Sequence, residues 1–325
     1  MGLDNVSLKA LEVFAAIARS GSVQDVASEM NLSVSTVSHH LKSLEQKVGA
    51  SLMDHGRRPM VLTPQGSAYL RHVEEAFKSL QRGQTELTAG DIGSVQNLRL
   101  GVVDDFDGEI APELARILAQ LLPNCTFRHR TRSSHEVLGL LARNELDIGV
   151  SADPEESFPG LVEYPLLRDP YVMISPKSSD IPPDKLALGE SDLPFLWYPK
   201  SQMIGHQIDI QLRRQKMTFE RRYEIESNQM LMAMVAGGAG WAMTTAASFM
   251  RAKRLHSQIT LAPVPTRNFA RRMSLFATEI YSPTVVRLVF KAFQRLTHQR
   301  IVVPAVAEHP WLADSLLLLD KDAAV

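Results

Sequence analysis

Between positions 33 and 58 the chain gathers Ser33, Ser35, Thr36, Ser38, His39, His40, Lys42, Arg57 and Arg58. Short hydroxyls and imidazoles bond phosphate oxygens or base edges, while lysine and arginine neutralise phosphates. The chemistry these types suit is the reading of duplex DNA. Each has a plainer role beside it: Ser35 as a helix cap, Lys42 as a solvated cation. His39 and His40 invite a metal, but neighbours on a helix point about 100° apart and cannot easily share an ion.

A second group suits the holding of a small molecule. Asp104, Asp105, Phe106, Asp107 and Gly108 follow an apolar strand, and Arg132, Ser133 and Ser134 open a helix further on. Carboxylates in the first loop repel an anion unless protonated or paired, and favour a cation or a donor group. Free N–H groups at the helix start, with Arg132, can hold a carboxylate. Trp197, Tyr198, Ser201, Gln202 and Met203, with Ser227 and Trp241 nearby in the expected topology, offer the opposite wall. Phe106, Tyr198 and Trp241 could present aromatic faces to a cationic group. The expectation is a small zwitterion or cation, its positive end on the acidic loop and its negative end on Arg132 and Ser133. The alternatives are core packing for the aromatics and capping by Asp107 of a helix that starts near Ile110.

Other chemistries find little support. Ser133, His135 and Glu136 lie too close along one helix to form a nucleophile, base and orienter. The ten histidines lack metal-ligand spacing and no phosphate loop is present. The three aspartates resemble half a calcium loop without its later ligands. No cofactor and no catalysis are expected. Cys125 is the single cysteine, which excludes an internal disulfide; a buried structural thiol is expected there. No apolar run is long enough to span a membrane and Met1 to Ser7 does not read as a secretory signal, so the cytoplasm is the expected compartment. A net charge of −1 predicts modest non-specific DNA affinity per protomer, raised by protomers acting together.

The elements that position these residues follow from periodicity. Leu8, Leu11, Val13, Phe14, Ile17 and Ala18 recur at helical spacing, with Asn5 or Ser7 as cap. Ser22 caps a short helix through Met30, Asn31 to Ser33 turn, and a second helix runs from about Ser35 to Val48 with Val37, Leu41, Leu44 and Val48 inward. A short ribbon with Arg57-Arg58 at its tip ends at Leu62-Thr63, completing a winged helix-turn-helix. From Pro64 to Leu87 a long helix carries Leu70, Val73, Phe77, Leu80, Gln84 and Leu87 as a heptad seam, and Thr88 to Gln96 reads as a hinge. Alternating strands and helices from Leu98 predict a mostly parallel sheet in two α/β lobes around a cleft.

These residues resemble the LysR-type transcriptional regulators. The resemblance rests on Leu11, Phe14, Ser20-Gly21-Ser22, Ala27, Val37-Ser38, Leu44-Glu45, Gly49, Leu52, Leu62-Thr63 and Gly66, on Leu146-Asp147-Ile148-Gly149-Val150, and on Val235 to Met243 with Gly237, Gly238 and Gly240. It departs at Val26, Ser35, Met53, His55 and Thr244-Thr245; His55 replaces a frequent Arg near the wing and makes contacts there dependent on pH. The resemblance implies an α/β chain with an N-terminal winged helix-turn-helix (1–63), a linker helix and hinge (64–96), and a two-lobed regulatory domain like a periplasmic binding protein (97–300). Its first lobe would be about 97–165 with 272–300 and its second about 166–271, followed by an extended tail (301–325). It implies double-stranded DNA with an interrupted palindromic operator, a small-molecule effector, self-association through the linker helix into dimers and often tetramers, and contact with RNA polymerase. The alternatives are a solute-binding protein and a repressor that needs no effector.

Overall fold

Helix α1 (Leu8–Ser20) starts where the Ser7 side chain accepts from the Ala10 amide and stops at Gly21, whose φ of 67° is left-handed. A Cβ on Gly21 would lie 2.7 Å from that of Pro59, and its carbonyl accepts from the Met60 amide at 2.9 Å. Glycine here lets the wing return against the end of α1. The structure, a computed structural model, describes residues 6–88, 95–154, 158–266 and 268–319. Two compact units divide it, Met1–Leu87 and Thr88–Val325.

In the first unit Ser22 caps α2 (Val23–Glu29), Asn31 turns the chain with a φ of 54°, and α3 (Val34–Val48) follows. Strands β1 (Met53–Asp54) and β2 (Val61–Leu62) pair antiparallel as the wing. Val13, Phe14 and Ile17 meet Val26, Val37, Leu41 and Leu44 in the core, whereas Leu8 is exposed. Helix α4 (Pro64–Thr88) begins against this core. Leu70 packs on it and Val73 is buried, so the early part of the expected seam covers its own unit; Leu80 stands exposed. Gln84 and Leu87 belong to the seam as read from sequence, but their side chains lie outside the described residues, as does most of the expected hinge.

The second unit runs β3 (Asn97–Val102), α5 (Ala111–Leu121), β4 (Thr126–Thr131), α6 (Ser134–Ala142), β5 (Ile148–Ala152) and the long β6 (Leu161–Pro176). Then come α7 (Pro183–Leu188), β7 (Leu196–Trp197), α8 (Met203–Arg214), β8 (Tyr223–Glu224), α9 (Asn228–Ala236), β9 (Ala242–Thr245), α10 (Ala246–Arg251) and β10 (Ile259–Pro263). Strand β11 (Ala270–Thr278) returns the chain, and α11 (Pro283–Thr297), α12 (Val303–Glu308) and β12 (Leu317–Leu318) close it. The sheet order is β10-β6-β11-β5-β3-β4, with β9 and β12 also on β6.

Three differences from the sequence reading have physical causes. The sheet is mixed, not mostly parallel: β4, β3 and β5 run parallel, but the crossing strands β6 and β11 are antiparallel. The tail is not extended. A π-helical turn, His298–Val302, joins α11 to α12, Pro304 sits in the first turn of α12 where no N–H is needed, and Leu317 pairs with Arg168. Leu312 and Leu316 are buried. Cys125 precedes β4 and is half-buried, with Sγ 3.7 Å from the Thr126 carbonyl.

The motif residues have structural tasks. The Asp147 carboxylate accepts from the Arg99 amide at 2.8 Å and its guanidinium at 2.6 Å, tying the start of β5 to β3. A Cβ on Gly66 would overlap the Leu52 carbonyl oxygen, so only glycine lets α4 begin on the wing.

Candidate DNA-reading surface and effector cleft

On α3, Val37, Leu41 and Leu44 point into the core, which turns Ser35, Ser38, His39 and Lys42 outward as exposed side chains; Thr36 and His40 are half-buried. The cap is Ser33 rather than Ser35. Ser33 Oγ accepts from the Thr36 amide at 3.1 Å and lies 2.7 Å from both the Ser35 and Thr36 hydroxyls, giving a hydroxyl cluster at the helix start. Val34, 48% exposed, sits in the same turn and escaped the sequence reading, because an apolar residue there carries no polar signal. An exposed branched side chain suits contact with a thymine methyl. His39 and His40 have ring centroids 6.4 Å apart.

The wing is held from α3 by Glu45. Its carboxylate accepts from the Leu52 amide at 2.8 Å and the Met53 amide at 3.1 Å, and lies 3.0 Å from His55 Nε2. Burial alone would raise the Glu45 pKa; the two amides and the His55 ring outweigh it, so the group titrates below the ordinary carboxylate value. His55 therefore faces Glu45. At the tip Arg57 Nε lies 3.3 Å from Asp54, and Arg58 is exposed.

The cleft of the second unit is a cavity of about 290 Å³. Asp104, Asp105, Arg132, Ser133, Ser134, Tyr198, Gln202, Met203 and Ser227, all singled out from sequence, line it. Seven others do so without having been anticipated, among them Glu136, Glu226, Asn228 and Arg271. Phe106 and Trp241 do not line it. Phe106 is fully buried and meets Phe293 edge-on at 5.2 Å; Trp241 is buried against Phe195 and Phe219. Ser201 lines a neighbouring cavity with His206 and Phe158, which shares Gln202 and Met203 with the cleft. Tyr198 is buried; its hydroxyl donates to Asn228 Oδ1 and lies 2.9 Å from Thr244 Oγ1, so it offers the cleft little open ring face.

Asp105 is not a free carboxylate. It is buried, and Arg271 Nη2 donates to it at 2.8 Å and to Asp169 at 2.9 Å. Asp169 and Arg271 are cross-strand partners where β6 meets β11. The second oxygen of Asp105 accepts from Asn228 Nδ2 at 3.1 Å and from the Ser248 hydroxyl. Thr245 Oγ1 accepts from Arg271 at 2.9 Å, and Asp169 accepts from the Ala247 amide at 2.9 Å. Burial opposes the charge on Arg271, but the two carboxylates hold it firmly protonated. Asp105 lines the cleft, but its partner lies 166 residues away, and nothing local betrays the pairing.

Asp104 is the more open group, with its side chain 40% exposed and Arg251 Nη1 at 2.8 Å. Burial, ahead of the opposing pull of Arg251, raises its pKa above the ordinary value. Asp107 does not cap α5, which begins after Ile110 with no side-chain cap; Asp107 closes the 3-10 turn Asp104–Phe106 and lies 3.8 Å from His129. Ser133 caps α6, with the Glu136 carboxylate accepting from its amide at 3.0 Å and its hydroxyl at 2.5 Å. That carboxylate occupies the donors expected to receive a ligand anion. Ser134 Oγ accepts from the Ala152 amide at 3.1 Å, and Arg132 is exposed, donating to the Thr131 carbonyl at 2.7 Å.

The profile described as "Bacterial regulatory helix-turn-helix protein, lysR family" matches residues 8–67, and that of the "LysR substrate binding domain" matches residues 92–295. The chain belongs to the LysR family of transcriptional regulators. Membership sets aside the solute-binding and enzymatic readings. A relative from Sinorhizobium fredii, "Uncharacterized HTH-type transcriptional regulator y4mQ", is 35% identical over 36% of this chain and 39% of that protein. A "Probable hydrogen peroxide-inducible genes activator" of Mycobacterium xenopi is 29% identical over 52% of this chain and 89% of that protein. The chain thus spans well under half of the first relative's length. A full-length OxyR point variant from Pseudomonas aeruginosa shares the fold with a TM-score of 0.70 at 17% identity, covering 89% of this chain and 94% of that one. Among the described residues, no helix of this LysR-family chain is long and apolar enough to cross a membrane.

Proposed function

We propose that this LysR-family chain is a cytoplasmic DNA-binding regulator whose grip on an interrupted palindromic operator is tuned by a small cationic or zwitterionic effector in the cleft. One observation carries the effector class. Four carboxylates line the cleft against two guanidinium groups, and one of those, Arg271, is already shared by two buried carboxylates. An incoming ligand meets Glu136, Glu226 and Asp104, whose counter-ion Arg251 lies outside the lining, with only Arg132 to receive an anion. Such a wall favours positive charge, and Arg132 leaves room for one carboxylate. The volume, about 290 Å³, suits a molecule of amino-acid size.

On the DNA side, Ser33, Val34, Ser35, Ser38, His39 and Lys42 face the major groove, and Arg57 and Arg58 meet the backbone or minor groove beside it. Thr36 and His40 support that surface from the partly buried side of α3. Two copies joined through α4 present two such surfaces, pairs of dimers can bend the intervening DNA, and RNA polymerase is the downstream partner. The effector acts only by binding the two arrangements of the lobes with different affinity. The peroxide response in the mycobacterial relative's name finds no support here. Cys125 has no second thiol within these residues, and burial raises its pKa away from the reactive thiolate.

Calorimetric titration of the full chain with glycine betaine, choline, amino acids and succinate tests the effector class. Binding by the cationic and zwitterionic ligands, weakened roughly tenfold by Asp104→Asn, is expected. Binding by succinate alone would overturn the charge argument.

A further inference from the structure

A second and larger cavity, of about 470 Å³, shares Asn228 with the cleft. Its charge is opposite in sign. Arg251, Lys253 and Arg254 line it against a single carboxylate, Glu109, and the half-buried Ala252 and Leu255 contribute apolar surface. Arg254 is exposed, and no ion pair among the described residues engages it. The other two cations are paired with residues distant in sequence: Arg251 donates to Asp104 at 2.8 Å and Lys253 to Glu109 at 3.0 Å. Both pairs are partly open, with side chains 21% to 42% exposed, so solvent screens them and a competing anion can enter.

We propose that this outer cavity is a second ligand site, for a small organic anion with an apolar body, and that it is coupled to the cleft. The anionic group takes Arg254 with Arg251 and Lys253, and the apolar part lies along Ala252 and Leu255. The coupling follows from shared residues. Asn228 and Ser248 line the outer cavity and hold Asp105. Arg251 lines it and holds Asp104, which faces the cleft. An anion that draws Arg251 outward strips Asp104 of its counter-ion and leaves that carboxylate to a cation within the cleft. The two sites therefore favour one another, and by linkage the effect is mutual. This consequence rests on the cationic reading of the cleft; the outer site does not.

The test is calorimetric titration of the full chain with phenyl phosphate. Saturable binding is expected, weakened at least about tenfold in the Lys253→Gln/Arg254→Gln double variant and unchanged in Arg132→Gln, which alters only the cleft. Asp104→Asn releases Arg251 from its partner and should tighten phenyl phosphate binding several-fold. That readout needs no cleft ligand, so it separates this site from the effector assignment. No binding, binding that follows Arg132, or an Asp104→Asn variant with unchanged or weaker affinity would each overturn the proposal.

Discussion

Individual side chains divide into those that hold the frame and those left open for partners. Glu45 belongs to the first kind, because one carboxylate satisfies two amides at the foot of the wing. Hydrogen bonds to a charged group contribute about 1.5–3 kcal/mol each when buried, so Glu45→Gln should loosen the wing by about 1–2 kcal/mol at neutral pH. Hydrogen exchange at the Leu52 and Met53 amides of the full chain reads this directly. The sign with pH follows from the lowered Glu45 pKa. The stabilisation is complete above the unfolded carboxyl pKa of about 4.3 and disappears as pH falls through the lower folded value. Wild type and variant should therefore converge in protection under acid; a difference that persists there would contradict the assignment. Arg58 is of the second kind. Arg58→Gln should weaken binding to all duplex sequences and reduce the salt slope by about one unit, whereas Arg57→Gln should do less, since Asp54 already engages Arg57. An unchanged salt slope in Arg58→Gln would remove that residue from the interface.

At the scale of elements, local chemistry was legible and distant pairing was not. Ser7 and Ser22 cap α1 and α2, because caps and 3.6-residue periodicity are written in neighbouring positions. Strands β9 and β10 and helices α7 and α12 escaped notice, being short and lying in runs without clear period. The acidic loop after β3 was identified by its residue types, but whether Asp105 was open or paired depended on Arg271, supplied by β11 far along the chain. Phe106 and Trp241 show the same limit from the other side: an aromatic next to a site and an aromatic beneath it look alike in sequence. Helix α4 carries the element-scale prediction. Leu70 serves the N-terminal core, while Leu80 is 54% exposed and suits a seam between copies. Leu80→Glu should shift the sedimentation of the full chain toward smaller species and lower DNA affinity with it; an unchanged assembly would move the dimer contact off this face.

For the whole molecule, the near-neutral charge of −1 predicts modest DNA affinity for a single copy, which the proposed pairing of N-terminal units would raise. In the proposed mechanism the second unit contributes through side-chain contacts that a ligand can bias. Asp105 joins the loop after β3 to Arg271, Asn228 and Ser248, and Asp104 joins it to Arg251. A ligand that prefers one arrangement of these contacts shifts the population, and one with equal preference shifts nothing. The central claim joins both ends of the chain: operator recognition, tuned from the cleft. The most direct measurement is a mobility-shift titration of the full chain on its own promoter region and on scrambled duplex, with and without the tightest ligand found by calorimetry. The account predicts a clear preference for the promoter and a change in its affinity or footprint on adding the ligand. Equal binding to both duplexes under every condition would contradict it.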